Sequence, residues 1–311
     1  MKKITITKQE SGQTILKYIK KLFNNATLGF IEKIFRKKKI TINGKKVNKK
    51  YIIQENDNLI IFLNEEQIEK INKALPIPDN AFLPNIIYED DNILIVNKPK
   101  KILVHEDATK TTKTLINQVA SYVFKKNKEI NFKPILCHRL DYNTSGLIVF
   151  AKSIKSSQAM EDAFKNKKIK KCYIALVFGC LKDQFGLIKK PLKKKNNYVK
   201  ISNDGKKSLT KFHVIKKFKD FTLIEVFLIT GRTHQIRVHM SSIGFPIVGD
   251  NKYGDFKKNH IFRQRFNYYS QFLHAYKIQF KNMNDPLKYL SNKTFISELN
   301  NKEKIILDSL K

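Results

Sequence analysis

The chain has 311 residues, 41% of them apolar, and carries 61 basic against 27 acidic side chains, a formal net charge of +34. That much apolar material excludes a wholly disordered chain, and no apolar run approaches the roughly 20 residues needed to cross a bilayer. The positive surplus selects polyanionic partners, nucleic acid first, although abundant Lys, Asn and Ile is also the imprint of an AT-rich genome.

Residues 1–64 read as a small separate unit. Met1 to Thr7 is basic but lacks the continuous apolar stretch of a secretion signal, which predicts a cytoplasmic chain. Ile15, Ile19 and Leu22 mark one helix face, and Phe30, Ile31, Ile34 and Phe35 a second. The basic turn Lys37-Lys38-Lys39 follows. Then come two strand-like runs, 40–42 and 58–62, with the hairpin signal Asn43-Gly44 between them. The unit has 15 basic and 4 acidic residues. It is either an RNA-docking unit or a basic αβ unit that packs on its neighbour.

Residues 65–84 change character, with Glu65, Glu66 and Glu69 ahead of prolines at 76, 78 and 84, and read as a linker. From 85 to 290, short apolar runs alternate with turns. Strands are expected at 93–96, 147–150, 173–178 and 221–227, and helices near 112–126 and 153–168. Strands and helices interspersed without a regular βαβ repeat predict an α+β fold with a mixed, largely antiparallel sheet flanked by helices. Residues 165–219 hold 18 basic and 2 acidic side chains. The end, 291–311, is a closing helix or a tail. Three cysteines, Cys137, Cys172 and Cys180, without paired metal spacing fit a reducing compartment.

Familiar catalytic motifs are missing: there is no phosphate-cradling glycine loop, no His-Glu-x-x-His helix and no nucleophile elbow. His234 and His239 are spaced for different helix faces, so no metal site is expected, and His105, His213 and His260 are isolated. Two segments remain. The first is an apolar run, the polar knot His138-Arg139-Leu140-Asp141-Tyr142-Asn143-Thr144-Ser145-Gly146, then a second apolar run. It places Arg139 and Asp141 at a strand end, as a functional pair or as a turn Asp neutralised by its neighbour. The second runs from Thr230 to Met240, with Thr233 as the expected cap of a helix whose buried stripe is Ile236, Met240 and Ile243. Arg237 lies early in that helix, where it could keep a buried carboxylate ionised. Phosphate binding and a fold-stabilising ion pair are the plainer roles for Arg232 and Arg237. Only six residues are Arg, so an Arg surviving among so many lysines suggests a need for the planar fork.

His138-Arg139-Leu140-Asp141 followed by Thr144-Ser145-Gly146-Leu147 resembles the signature of the RluA/RluC/RluD family of RNA pseudouridine synthases. The likeness continues in Val96-Asn97-Lys98-Pro99 to His105, in Lys171, Tyr173 and Ala175, and in Gly205, Lys206 and Thr210. It ends with Thr230 to His239, Gly244, Pro246, Gly249-Asp250, Tyr253-Gly254 and Leu273-His274-Ala275. The N-terminal unit is similar to the alpha-L RNA-binding module, although Thr14-Ile15-Leu16 stands where that module usually has Arg-Leu-Asp or Arg-Ile-Asp. After Leu273-His274-Ala275 the family often has His-Pro, where this chain has Asp285-Pro286 nearby.

The resemblance implies a pseudouridine-synthase fold and an isomerase that breaks the glycosidic bond of a uridine, turns the base and rejoins it through carbon five. No cofactor or metal is implied. Asp141 would be the essential carboxylate, by addition to ribose or base or by removal of a ribose proton. Tyr173 would stack on the uracil, and Arg237 would pair with Asp141. Arg139 would enter the RNA stack in place of the flipped uridine. His138, Thr144, Lys98, Arg232, Lys206, Lys37, Lys38 and Lys39 would contact RNA. The expected partner is large-subunit ribosomal RNA or a pre-ribosomal particle, met by a monomer away from membranes. Transfer RNA as substrate, or a non-catalytic RNA-binding or ribosome-assembly role, are the alternatives.

Overall fold

The computed structural model describes residues 1–7, 10–23, 26–64, 66–67, 83–105, 113–126 and 134–310. Most of the expected linker, 65–84, lies outside them.

In the N-terminal unit, helices α1 (Ile15–Leu22) and α2 (Leu28–Arg36) start where Thr14 and Thr27 turn their side chains onto the amides of Lys17 and Phe30. They pack on a sheet of β1 (Lys2–Thr5), β2 (Ile40–Ile42), β3 (Lys45–Lys46) and β4 (Asn58–Ile61) in the order β1-β4-β2-β3. Asn43 and Gly44 take φ of 49° and 75°, the left-handed pair a tight hairpin needs. Their turn leads into β3 rather than β4, which pairs with the other edge of β2. Ile15, Ile19, Ile31 and Ile34 are buried together with Ile40, Ile42, Leu59 and Ile61. Ile154 of the larger unit packs against this cluster, and Lys17 and Lys21 both reach Glu161.

The larger unit is built on β5 (Asn85–Glu89), β6 (Ile93–Lys98), β7 (Ile135–Leu136), β8 (Ser145–Ala151), β9 (Ile169–Phe178), β10 (Phe185–Lys189), β13 (Leu209–Lys217), β14 (Phe221–Leu228), β15 (Leu273–Phe280) and β16 (Thr294–Ile296). The main path runs β10-β13-β14-β9-β15-β8-β6-β5, with β16 on β15 and β7 on β8. A small hairpin, β11 (Leu192–Lys195) with β12 (Tyr198–Ile201), sits apart. The β15–β8 pair is parallel and the other pairs are antiparallel, giving the expected mixed, largely antiparallel sheet. At that junction Gly146 lies against Ala275, where a Cβ would fall 2.3 Å from a backbone oxygen. Only glycine lets the two strands meet there.

The apolar runs of β6, β8, β9 and β14 form the centre of this sheet. Helices α3 (Leu115–Lys126) and α5 (Gln235–Ser242) cover one core cluster with Leu94, Ile148, Ala175 and Ile224. Helix α4 (Ile154–Lys165) adds Met160 and Ala163 to a second. Helices α6 (Phe256–Phe266) and α7 (Asn301–Ser309) bring Phe262 and Ile306 to a third. Within the stretch expected as a closing helix or tail, Thr294–Ile296 is thus a strand of the large sheet and Asn301–Ser309 a packed helix. Its buried Glu303 accepts hydrogen bonds from Lys100 and Tyr268. Among the described residues no helix is long and apolar enough to cross a membrane.

Candidate active site

Asp141 sits in the loop that enters β8, beside the parallel junction. Leu140 is buried in the main core, and the Thr144 amide donates to the Asp141 carbonyl at 3.1 Å. The Lys98 ammonium donates to the carbonyls of Pro99, Ile102 and Tyr142 at 2.9–3.1 Å. Gln271 donates to the Thr144 hydroxyl at 2.7 Å. Opposed braces thus hold the loop, leaving the Asp141 carboxylate at the wall of a cavity of about 770 Å³.

Arg237 projects from α5 into the same wall. Its Nε and Nη2 donate to the two oxygens of Asp250 at 2.7 and 2.9 Å, and its Nη1 donates to Asp141 Oδ2 at 2.9 Å. Asp250 is 1% exposed and also accepts from the amides of Lys252 and Tyr253. Burial alone would raise the Asp250 pKa, but Arg237 and these amides hold it below the usual carboxylate range. Burial likewise opposes the charge of Arg237, and the two carboxylates reverse that. The Tyr253 ring lies 5.0 Å from the guanidinium carbon. One edge of Arg237 is therefore fixed by Asp250, and an N–H of Nη1 is aimed at Asp141. Among the described residues, the hydrogen bond and the ion pairs made to the Asp141 side chain end on Oδ2.

Tyr173 on β9 is 4% exposed and lines the cavity. Burial, then the neighbouring Asp141 charge, raises its pKa, so its hydroxyl stays protonated. Lys171, two residues earlier on the same side of β9, also lines the cavity, and burial brings its ammonium down to about 8. Cys172 is pushed up to about 11 by burial and is no thiolate nucleophile. His234 Nε2 lies 3.8 Å from Asp141, while its Nδ1 meets the Tyr253 hydroxyl at 2.8 Å. Burial brings His234 down to about 4, with Asp141 opposing, so its ring is neutral near neutral pH.

Asp141, Tyr173 and Arg237 therefore converge, and Arg139 and Arg232 are exposed at the same cavity. Lys206 is exposed beside β11, and Lys37 and Lys38 are exposed after α2 with Lys39 half-buried; none of these four lines the cavity. Three residues expected to touch RNA have their polar side-chain atoms turned to the protein. Lys98 is 0% exposed, its ammonium spent on three carbonyls, and Thr144 is 2% exposed with its hydroxyl engaged by Gln271. His138 accepts from the Val149 amide through Nε2 and keeps Nδ1 buried. Lys98 supports the loop from behind, whereas His138 and Thr144 reach the cavity wall with their polar atoms turned to the protein. The cap of α5 is also not Thr233 but His234, in the left-handed region at φ 53°. The preceding loop is instead held by Gln235, whose Oε1 accepts from Thr230 and from the Arg232 amide. Asp250 and Gln235 were not singled out for a role from the sequence, because each acts across a loop rather than along a periodic face.

With this geometry in place, the match of residues 92–242 to the RNA pseudouridylate synthase family model has a physical counterpart. Relatives extend it along the chain. The RNA pseudouridine synthase YlyB of Bacillus subtilis is 33% identical over 88% of this chain and 87% of its own. A ribosomal large subunit pseudouridine synthase C of Buchnera aphidicola is 36% identical, covering 89% and 88%. The chain belongs to the RNA pseudouridine synthase family. Its synthase fold is shared with human RNA pseudouridylate synthase domain containing 4, at a TM-score of 0.59 and 22% identity over 72% of this chain and 92% of that one. As a pseudouridine synthase it is an isomerase: the C1′–N1 bond of a uridine breaks and C1′–C5 forms. The proton lost from C5 is balanced by the one gained at N1.

Proposed function

We propose that this synthase modifies large-subunit ribosomal RNA, acting as a cytoplasmic monomer, with Asp141 as its catalytic carboxylate. The observation that carries the role of Asp141 is the chain Asp250–Arg237–Asp141, in which one carboxylate immobilises the guanidinium and the guanidinium holds Oδ2 of the other in place. Addition to the substrate and removal of a ribose proton both demand a carboxylate fixed in one orientation. With Oδ2 held, Oδ1 is the reacting oxygen. Tyr173, buried and protonated, forms the surface on which the uracil stacks and turns. Arg139 fills the place of the flipped uridine, its flat guanidinium offsetting a few kcal/mol of lost stacking. Arg232, Lys206, Lys37 and Lys38 are exposed and meet the RNA backbone.

Support for ribosomal RNA comes from the relatives: the Buchnera protein and one of Rickettsia bellii, 33% identical over 93% of each chain, are both ribosomal large subunit pseudouridine synthase C. The basic N-terminal unit supplies further phosphate contacts. The test is purified protein on large-subunit rRNA and on bulk transfer RNA, with Asp141→Asn alongside. Pseudouridine in the rRNA from the native protein alone supports the proposal, and product confined to transfer RNA overturns the substrate. An active Asp141→Asn overturns the role of Asp141.

A further inference from the structure

Among the described residues strand β10 is an edge of the large sheet, and two of its apolar side chains face solvent: Phe185 is 67% and Leu187 43% exposed. Edge strands that display apolar side chains are hazards unless something covers them. Register sets Phe185 opposite His213 and Leu187 opposite Lys211 on β13, and opposed residues share a face. The Phe185 and His213 rings are stacked, with centroids 4.7 Å apart and 15° between planes. The other face of the same strand is closed: a Cβ on Gly186 would come within 2.2 Å of the Phe212 ring. The outer stack therefore takes no part in packing the core.

The strip leads inward. Lys211 is opposite Phe227 on β14, and Lys211 and Phe227 both line the cavity that holds Asp141. Residues 165–219, which contain β10 and β13, carry 18 basic and 2 acidic side chains. Glu225, opposite His213 on β14, already accepts from Tyr276 and Lys277. A flat aromatic pair among lysines, continuous with the reaction cavity, has the make-up of a single-strand platform: a stacking surface and cations along a track. Protein interfaces are depleted in Lys at their cores, which counts against a protein as occupant.

We propose that the Phe185–His213 stack binds an unstacked base of the single-stranded RNA flanking the target uridine, and that Lys211 holds the intervening phosphate. The inference rests on the RNA reading of the cavity and adds a second anchor on the same strand.

The test is fluorescence anisotropy with a labelled oligouridine of about 12 nucleotides and the full chain. Phe185→Ala weakens binding between about 5-fold and 100-fold, and Phe185→Tyr, which keeps a stacking ring, stays within about 2-fold of the native protein. The salt dependence of the Phe185→Ala variant stays parallel to the native line because no phosphate contact is lost, whereas Lys211→Gln reduces the slope by about 1. Native affinity in Phe185→Ala overturns the platform. So does a loss of self-association by light scattering without a loss of RNA affinity, which gives the strip to a second copy of the chain. A native protein that binds neither oligouridine nor rRNA overturns the RNA reading as a whole. Rejection of the platform alone leaves native binding and turnover intact.

Discussion

Replacing Asp250 by Asn removes the charge that anchors Arg237 while keeping the size of the side chain. The carboxylate offers two oxygens to Nε and Nη2 of Arg237 and to two backbone amides, and an Asn offers one. Breaking a buried ion pair costs about 3–5 kcal/mol, and because Arg237 keeps Asp141, the expected loss is about 3 kcal/mol. At about 2 °C per kcal/mol for a unit of this size, the melting midpoint should fall by roughly 6 °C. The freed guanidinium can then turn its two-pronged edge onto Asp141 and occupy the oxygen that must react. A misplacement of that kind lowers single-turnover pseudouridine formation by about 100-fold, while RNA affinity is unchanged because Asp250 is buried. The folded-state pKa of Asp250 is depressed, so its contribution to stability is present above its unfolded value and is lost as pH falls through the folded one. The variant should therefore lose less stability than the native protein as the pH falls below about 4. Native melting together with native turnover would refute the reasoning.

Lys98→Met should cost about 3 kcal/mol in urea unfolding by leaving three buried carbonyls unpaired, and should slow turnover through the loosened Asp141 loop; a neutral outcome would mean the loop stands without that brace. Burial brings Lys171 down to about 8, so kcat/KM should decline above about pH 8 as the cavity loses this charge. Lys171→Arg should abolish that limb, and a limb that persists would place the titration elsewhere. No imidazole limb is expected near its usual value, since burial holds both His138 and His234 low. Arg139→Lys should lose turnover on folded RNA by more than on a single strand, because an ammonium cannot stack; equal losses would argue against insertion into the RNA stack.

Much of the fold was legible because its central strands are unbroken apolar runs, as in Ile93-Leu94-Ile95-Val96 and Leu147-Ile148-Val149-Phe150, buried on both faces. Strand β13 was not, since Leu209 to Lys217 holds no unbroken apolar run and sets Lys211, His213 and Ile215 on its open face, within a segment marked in the sequence only by its charge. The Asp141 knot and Arg237 stood out as polar groups trapped between apolar runs. Asp250 did not, because its partner is 13 residues away across a loop and only the folded chain brings them together. The lysines failed in the opposite sense. A positive side chain in a basic protein suggests RNA, but Lys98 ends a strand buried along its length and answers to carbonyls. The pairing of Lys100 with Glu303, 203 residues later, has no local signal at all.

The most direct measurement maps pseudouridines at single-nucleotide resolution in total RNA from cells with and without this gene, with native and Asp141→Ala chains supplied back. Defined sites in large-subunit rRNA should disappear with the gene, return with the native chain and stay absent with the variant. Restoration by the Asp141→Ala chain, or loss of no rRNA site in cells that make the protein, would contradict the account.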